Sequence, residues 1–170
     1  MIDWLRSFLT SRTQKVLHDG CLYEIVSILF GVPHGSVIGP ILFILYVVEV
    51  FDIIALHGLG CHSHADDMQV YISVAATVAK DASIGVAGCV THLDRWITMN
   101  RLKLNADKIQ LIWLGTRQQL AKLTVTQLQL TTSVVEFDSM VTDLSVVLNY
   151  QLSMGPQITA DSRSCFYQLR

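Results

Sequence analysis

Apolar residues recur at three- and four-residue spacing through Ile84, Ala87, Val90, Leu93 and Ile97, the period of a helix with one buried stripe. The pattern predicts an amphipathic helix over residues 80–100, weakened in its first half by Gly85 and Gly88. An apolar run from Val37 to Val48 contains Gly39-Pro40, and proline suits a first helical turn, so a buried helix is expected from about Ile41 to Ala55. Glu49 and Asp52 close that run short of the about 20 residues a membrane span needs, and no membrane association is expected. Period-two alternation marks Thr13 to His18, and Asp19-Gly20 is a hairpin turn signal with Cys21 to Phe30 as the returning strand. Gly31 to Ser36 breaks regular structure. The alternating run Met68 to Ser73 follows a second turn at Asp66-Asp67. Beyond the long helix, Lys108 to Leu114 reads as a strand, as do shorter runs in Leu123–Leu130, Val134–Phe137 and Leu144–Leu148, and Pro156 opens a last helix. The mixture predicts an α+β fold, an antiparallel sheet with packed helices. No repeat or linker divides it, so one domain over residues 1–170 is expected.

Composition sharpens this. Of the 170 residues 51% are hydrophobic and only 15% charged, which supplies a core and argues against disorder. Such an apolar chain is also expected to show exposed apolar surface where missing segments would pack. Four cysteines, Cys21, Cys61, Cys89 and Cys165, lie without a C-x-x-C pair, which argues against a zinc ribbon or a disulfide framework and for an intracellular protein. The N-terminal residues, with Asp3 and Arg6, do not form the apolar stretch of a signal peptide. A net charge of −2 makes no global case for nucleic-acid binding. No Lys or Arg occurs between Lys15 and Lys80, however, and that gap holds Asp19, Glu24, Glu49, Asp52, Asp66 and Asp67, an acidic field that would draw cations.

Two neighbouring carboxylates at a hairpin tip, Asp66 and Asp67, offer the oxygen ligands that hard cations such as Mg²⁺ take. Turns favour aspartate for their own sake, so a solvated turn is the plain alternative. On a strand, His62, His64 and Asp66 would project on one side, a set that zinc could use if a further ligand were supplied. Arg101, Lys103 and Lys108 form a small basic group, either a solvated face or a contact for phosphate.

The order of these signals is specific. Gly31-Val32-Pro33-His34-Gly35-Ser36-Val37-Ile38-Gly39-Pro40-Ile41-Leu42-Phe43 resembles the GVPQGS-x-LGPxLF motif, and His64-Ala65-Asp66-Asp67 the YADD box, of the reverse transcriptase domain of LINE-type non-LTR retrotransposons. Trp96 with Asn100 to Lys108 is similar to that family's W-x₃-N-x-LKLN-x₂-K segment, and Leu144 to Asn149 to its LGVxLD strand. Trp4-Leu5 to Arg12 resembles the WLxSYLxxR run, so the resemblance covers nearly the whole chain.

The resemblance implies a polymerase palm-like fold and two-metal nucleotidyl transfer. Asp66 and Asp67 would be the catalytic, Mg²⁺-binding residues, with Asp66 the direct ligand. Gly31, Pro33, His34, Gly35 and Ser36 would line the nucleotide or template, where glycine lets the backbone approach closely, and Lys108 would approach the triphosphate. The partners would be an RNA template, a DNA primer and a dNTP. In the family, a third metal-binding carboxylate and the fingers precede the WLxSYL-like run, and the thumb follows the segment that Arg163 to Arg170 resembles. A partial, palm-region chain, inactive alone, is therefore expected, and a non-enzymatic relic or interaction module is the alternative. His34 stands for glutamine, His64 for tyrosine, Ile109 for threonine, Ser145 for glycine and Asn149 for aspartate, departures that suggest a decayed copy of a mobile element.

Overall fold

Asp19-Gly20 turns the chain as its residue types demand: both have positive φ, 49° and 75°, the backbone of a two-residue turn that matches strand twist. The structure, a computed structural model, describes residues 2–32, 35–130 and 133–168. Its backbone divides into two compact units, Met1–Tyr46 and Val47–Arg170.

The first unit opens with helix α1 (Ile2–Leu9), in which Trp4 stacks on Phe8 with ring centroids 5.8 Å apart. Strands β1 (Arg12–Gln14), β2 (Leu17–His18), β3 (Cys21–Leu22) and β4 (Val26–Ile28) follow. β2 pairs with β3 and β1 with β4, both antiparallel, so the expected hairpin forms with an interruption in each arm. A hydrogen bond from Tyr23 N–H to the Val16 carbonyl, 3.0 Å, spans the interruption.

The expected helix from Ile41 to Ala55 forms as two successive segments, α2 (Gly39–Val47) and α3 (Glu49–Leu56), joined through Val48. Its burial differs from expectation. In α2, Ile41, Ile44, Leu45 and Tyr46 are exposed, because that helix is apolar all round and packing covers only part of its circumference. α3 buries Val50, Ile53 and Ile54. By length and composition Gly39–Leu56 is long and apolar enough to cross a membrane. Its α3 half instead packs on the long helix that follows, and Glu49 accepts a hydrogen bond there from Trp96 Nε1 at 2.9 Å.

The second unit continues with β5 (Gly60–His64), β6 (Asp67–Tyr71) and α4 (Ala79–Met99), the last within a residue of its predicted span. The α4 stripe is rotated from the expected one: Ala79, Ser83, Cys89 and Leu93 are buried and Ile84 is exposed. Then come β7 (Leu111–Ile112), α5 (Arg117–Leu120), β8 (Gln127–Gln129), β9 (Val134–Asp138), β10 (Met140–Asp143), β11 (Val146–Asn149) and α6 (Gly155–Gln168). The expected strand from Lys108 to Leu114 is reduced to β7, since residues 106–108 take a 3₁₀ turn. The expected strand from Leu144 to Leu148 begins instead with a turn: Leu144 and Ser145, φ 45° and 69°, connect β10 to β11.

The chain is thus α+β. Among the described residues the ladders form separate antiparallel pairs and one three-stranded sheet, β7-β9-β8, whose β7–β9 pair is parallel. Leu128 of β8 and Val141 of β10 are buried with the α3 and α4 residues named above. Gln157 anchors α6, its side-chain oxygen accepting from Val147 N–H of β11 at 2.7 Å.

Candidate functional site

The hairpin β5–β6 is built outward from the core. Leu59 is buried just before β5, and the register pairs Gly60 with Tyr71, His62 with Gln69 and His64 with Asp67 on one face. Cys61 opposite Val70 and Ser63 opposite Met68 occupy the other. The first and last of these faces are held differently. Tyr71 lies across Gly60, where an added Cβ would sit 2.6 Å from the ring, and it stacks on His62 with centroids 5.1 Å apart. Gln69 Nε2 donates to Asp143 Oδ2 of β10 at 2.7 Å, tying the hairpin to the β10–β11 pair. On the opposite face Cys61 and Val70 are half-buried. Burial raises the Cys61 thiol above its ordinary value; the buried Cys89 of α4 is raised by burial and then by the neighbouring Cys61.

The turn itself is displaced by one residue from expectation. Ala65 and Asp66 form it, and Asp67 is the first residue of β6, opposite His64. Ala65 holds φ 55°, a left-handed conformation that costs an L-residue about 1 kcal/mol. Pairing of Asp67 with His64 closes the ladder so tightly that only two residues remain for the turn. Both carboxylates are exposed at the tip, Asp66 in the turn and Asp67 on the face that carries Gln69.

Two adjacent carboxylates on a short ladder suit a hard divalent cation, which takes one or two carboxylates and completes its shell with water and substrate phosphate. The donor set fits Mg²⁺ in that way. For the zinc reading, His62 is engaged by Tyr71, and among the described residues no three His, Cys, Asp or Glu side chains gather as a metal cluster.

The remaining candidates are divided between the two units. In the first unit Gly31 and Gly35 have φ 81° and 78° with no atom within 4 Å of an added Cβ, so conformation, not space, requires glycine there. Ser36 Oγ is buried and finds no hydrogen-bond partner among the described residues, and an added Cβ at Gly39 would meet it at 2.7 Å. Pro33 and His34 lie outside the described residues. In the second unit Lys108 is exposed at the end of its 3₁₀ turn, and no ion pair joins it to Asp66 or Asp67 among the described residues. Of the acidic field, Asp19 and Glu24 belong to the first unit, and Glu49 accepts a hydrogen bond from Trp96 Nε1.

Gln69 and Asp143 support the acidic hairpin, yet nothing in the sequence marks them, since 74 residues separate the two partners. Asn149, standing where the resembled motif has aspartate, donates to Ser153 Oγ and accepts from Ser153 N–H, both at 2.8 Å, and so closes the turn into α6.

A family model described as reverse transcriptase (RNA-dependent DNA polymerase) matches residues 1–167. The RNA-directed DNA polymerase from mobile element jockey of Drosophila funebris is 28% identical over 113 residues, 64% of this chain and 12% of that protein. The probable RNA-directed DNA polymerase from transposon BS of Drosophila melanogaster is 26% identical over 145 residues, 82% of this chain and 16% of that protein. The chain therefore spans less than a fifth of the curated relatives it matches. No solved structure matches it significantly. A match that runs through both compact units, together with relatives from mobile elements, establishes that this chain belongs to the reverse transcriptase (RNA-dependent DNA polymerase) family, in agreement with its LINE-type motifs.

Proposed function

We propose that the chain is the palm-like part of an RNA-directed DNA polymerase and that Asp66 and Asp67 hold its catalytic Mg²⁺. The observation that carries this reading is the β5–β6 hairpin, which presents both carboxylates at a tip braced by the Gln69–Asp143 hydrogen bond. When bound, Mg²⁺ supplies Lewis-acid activation of the primer hydroxyl and neutralises phosphate charge. The chain's own residues bind and orient. Asp66 and Asp67 would hold the cation at the hairpin tip, and the motif that contains Gly31, Pro33, His34, Gly35 and Ser36 would offer its backbone to nucleotide or template. Lys108 meets phosphate as a point charge. RNA template, DNA primer and dNTP are the partners of that reaction, and its setting is intracellular.

Among the described residues no third acidic, His or Cys side chain joins the two carboxylates, which by themselves fall short of holding two metal ions, so the isolated chain is expected to bind metal without extending a primer. Manganese titration followed by paramagnetic broadening of hairpin NMR signals tests the site. Broadening centred on residues 64–67 should vanish in Asp66→Asn/Asp67→Asn, and broadening that ignores those substitutions refutes the assignment. Robust extension of a primed RNA template by the isolated chain would overturn the inactivity.

The exposed apolar side chains of α2 favour a second reading, an interaction module without catalysis. It predicts self-association on gel filtration that Ile44→Asp with Leu45→Asp abolishes, together with no metal response at the hairpin.

A further inference from the structure

His57 and His92 meet between α3 and α4, away from the acidic hairpin. Nε2 of His57 lies 3.4 Å from Nδ1 of His92, with the rings inclined at 71° and their centroids 5.7 Å apart. At that separation the rings can share a proton in one pair of tautomers. It equally matches a shared metal ion: two bonds of about 2.0–2.1 Å enclosing a tetrahedral angle place their nitrogens about 3.3–3.4 Å apart. We propose that His57 and His92 form a two-histidine site for a borderline transition-metal ion such as Zn²⁺ or Ni²⁺, clamping the end of α3 to α4.

The surroundings favour a cation. His57 caps the C-terminus of α3, at the negative end of the helix dipole, and its own N–H donates to the Ile54 carbonyl at 3.1 Å. The backbone is therefore fixed while the ring projects toward α4. Gly88, one turn before His92, adjoins that ring, and an added Cβ would make an ordinary contact with His57 Cε1 at 3.7 Å. His57 is half-buried and His92 exposed, so two protein nitrogens sit on one side of the ion and water can fill its other positions. Imidazole nitrogen selects zinc, nickel and copper, whereas carboxylate oxygen selects magnesium, so this site and the Asp66–Asp67 hairpin take different metals.

The test is thermal and chemical unfolding of the full chain with NiCl₂ alone, because zinc would also be drawn to the free thiols of this chain, whereas nickel suits imidazole. At a nickel concentration 100 times the dissociation constant, the folding equilibrium constant should rise about 100-fold. His57→Gln and His92→Gln should each abolish the rise, whereas His62→Gln and His64→Gln should retain it. Substituting MgCl₂ should produce none of it. The proposal is overturned if nickel leaves unfolding unchanged, if the rise survives either of the first two substitutions, or if it follows His62 or His64. Should His57→Gln prevent folding, His92→Gln at its exposed position on α4 still decides the matter.

Discussion

Opposite substitutions, Ser145→Gly and Gly85→Ala, should both stabilise the protein, because the backbone at each position asks for the other kind of residue. Ser145 lies in the β10–β11 turn with φ 69°, where the resembled motif has glycine, and its side chain is exposed. A left-handed conformation costs an L-residue about 1–2 kcal/mol, against which glycine's greater freedom in the unfolded chain costs about 0.5–1 kcal/mol. The net gain for Ser145→Gly is about 0.5–1 kcal/mol by that difference. Gly85 is inside α4, and nothing lies within 4 Å of an added Cβ. Alanine there gains about 0.8–1 kcal/mol of helix propensity. Urea unfolding followed by circular dichroism measures both. With a slope of about 2 kcal/mol per molar, each midpoint should rise by about 0.3–0.5 M at unchanged slope. The sites share no partner, so the double variant should add the two gains to within about 0.5 kcal/mol. A midpoint that falls in Ser145→Gly refutes the left-handed turn, and one that falls in Gly85→Ala refutes an open helical position there.

The other predictions concern the core, the hairpin and the thiols. Ile54→Ala, at a side chain only 1% exposed, should cost about 2–5 kcal/mol and broaden or abolish the cooperative urea transition. Gly60→Ala should displace the Tyr71 ring, because the new methyl group would lie 2.6 Å from it, at a cost of about 1–3 kcal/mol; loss of the mutual ring-current shifts of His62 and Tyr71 by NMR would report it, and unchanged shifts would contradict the packing. Iodoacetamide should modify the exposed Cys21 and Cys165 first, Cys61 later and Cys89 last, as followed by mass spectrometry of peptides. Both interior thiols are raised in the folded state, chiefly by burial, so their contribution to stability is intact below the unfolded thiol value near 9.0 and is lost as pH rises through the folded values. Urea midpoints between pH 8 and 10.5 should therefore fall less in Cys61→Ala/Cys89→Ala than in the parent chain.

Much of the local structure was legible because its causes are local. Asp19-Gly20 can adopt two positive φ angles, Pro156 suits a first turn, and the three- and four-residue spacing from Ile84 to Ile97 falls inside the 21-residue α4. The acidic hairpin was legible from alternation on its returning arm. Its turn was misplaced by one residue, because aspartate favours both positions and only the pairing of His64 with Asp67 decides between them. The turn at Leu144-Ser145 is hidden for a related reason: the weak turn signal of Ser145 lies inside an apolar run, and pairing of β10 with β11 imposes a left-handed conformation that both side chains disfavour.

By itself the sequence determined the kinds of elements, their order and the family, since motif spacing and hydrophobic period reside in the chain. Tertiary structure alone decided that α2 stays largely exposed while α3 is buried, that Ile84 turns outward, that Gln69 reaches Asp143, and that His57 meets His92. Periodicity shows that a helix has an apolar face without saying whether a partner covers it. Likewise, residues separated by 35 or 74 positions become neighbours only when packing closes the intervening chain.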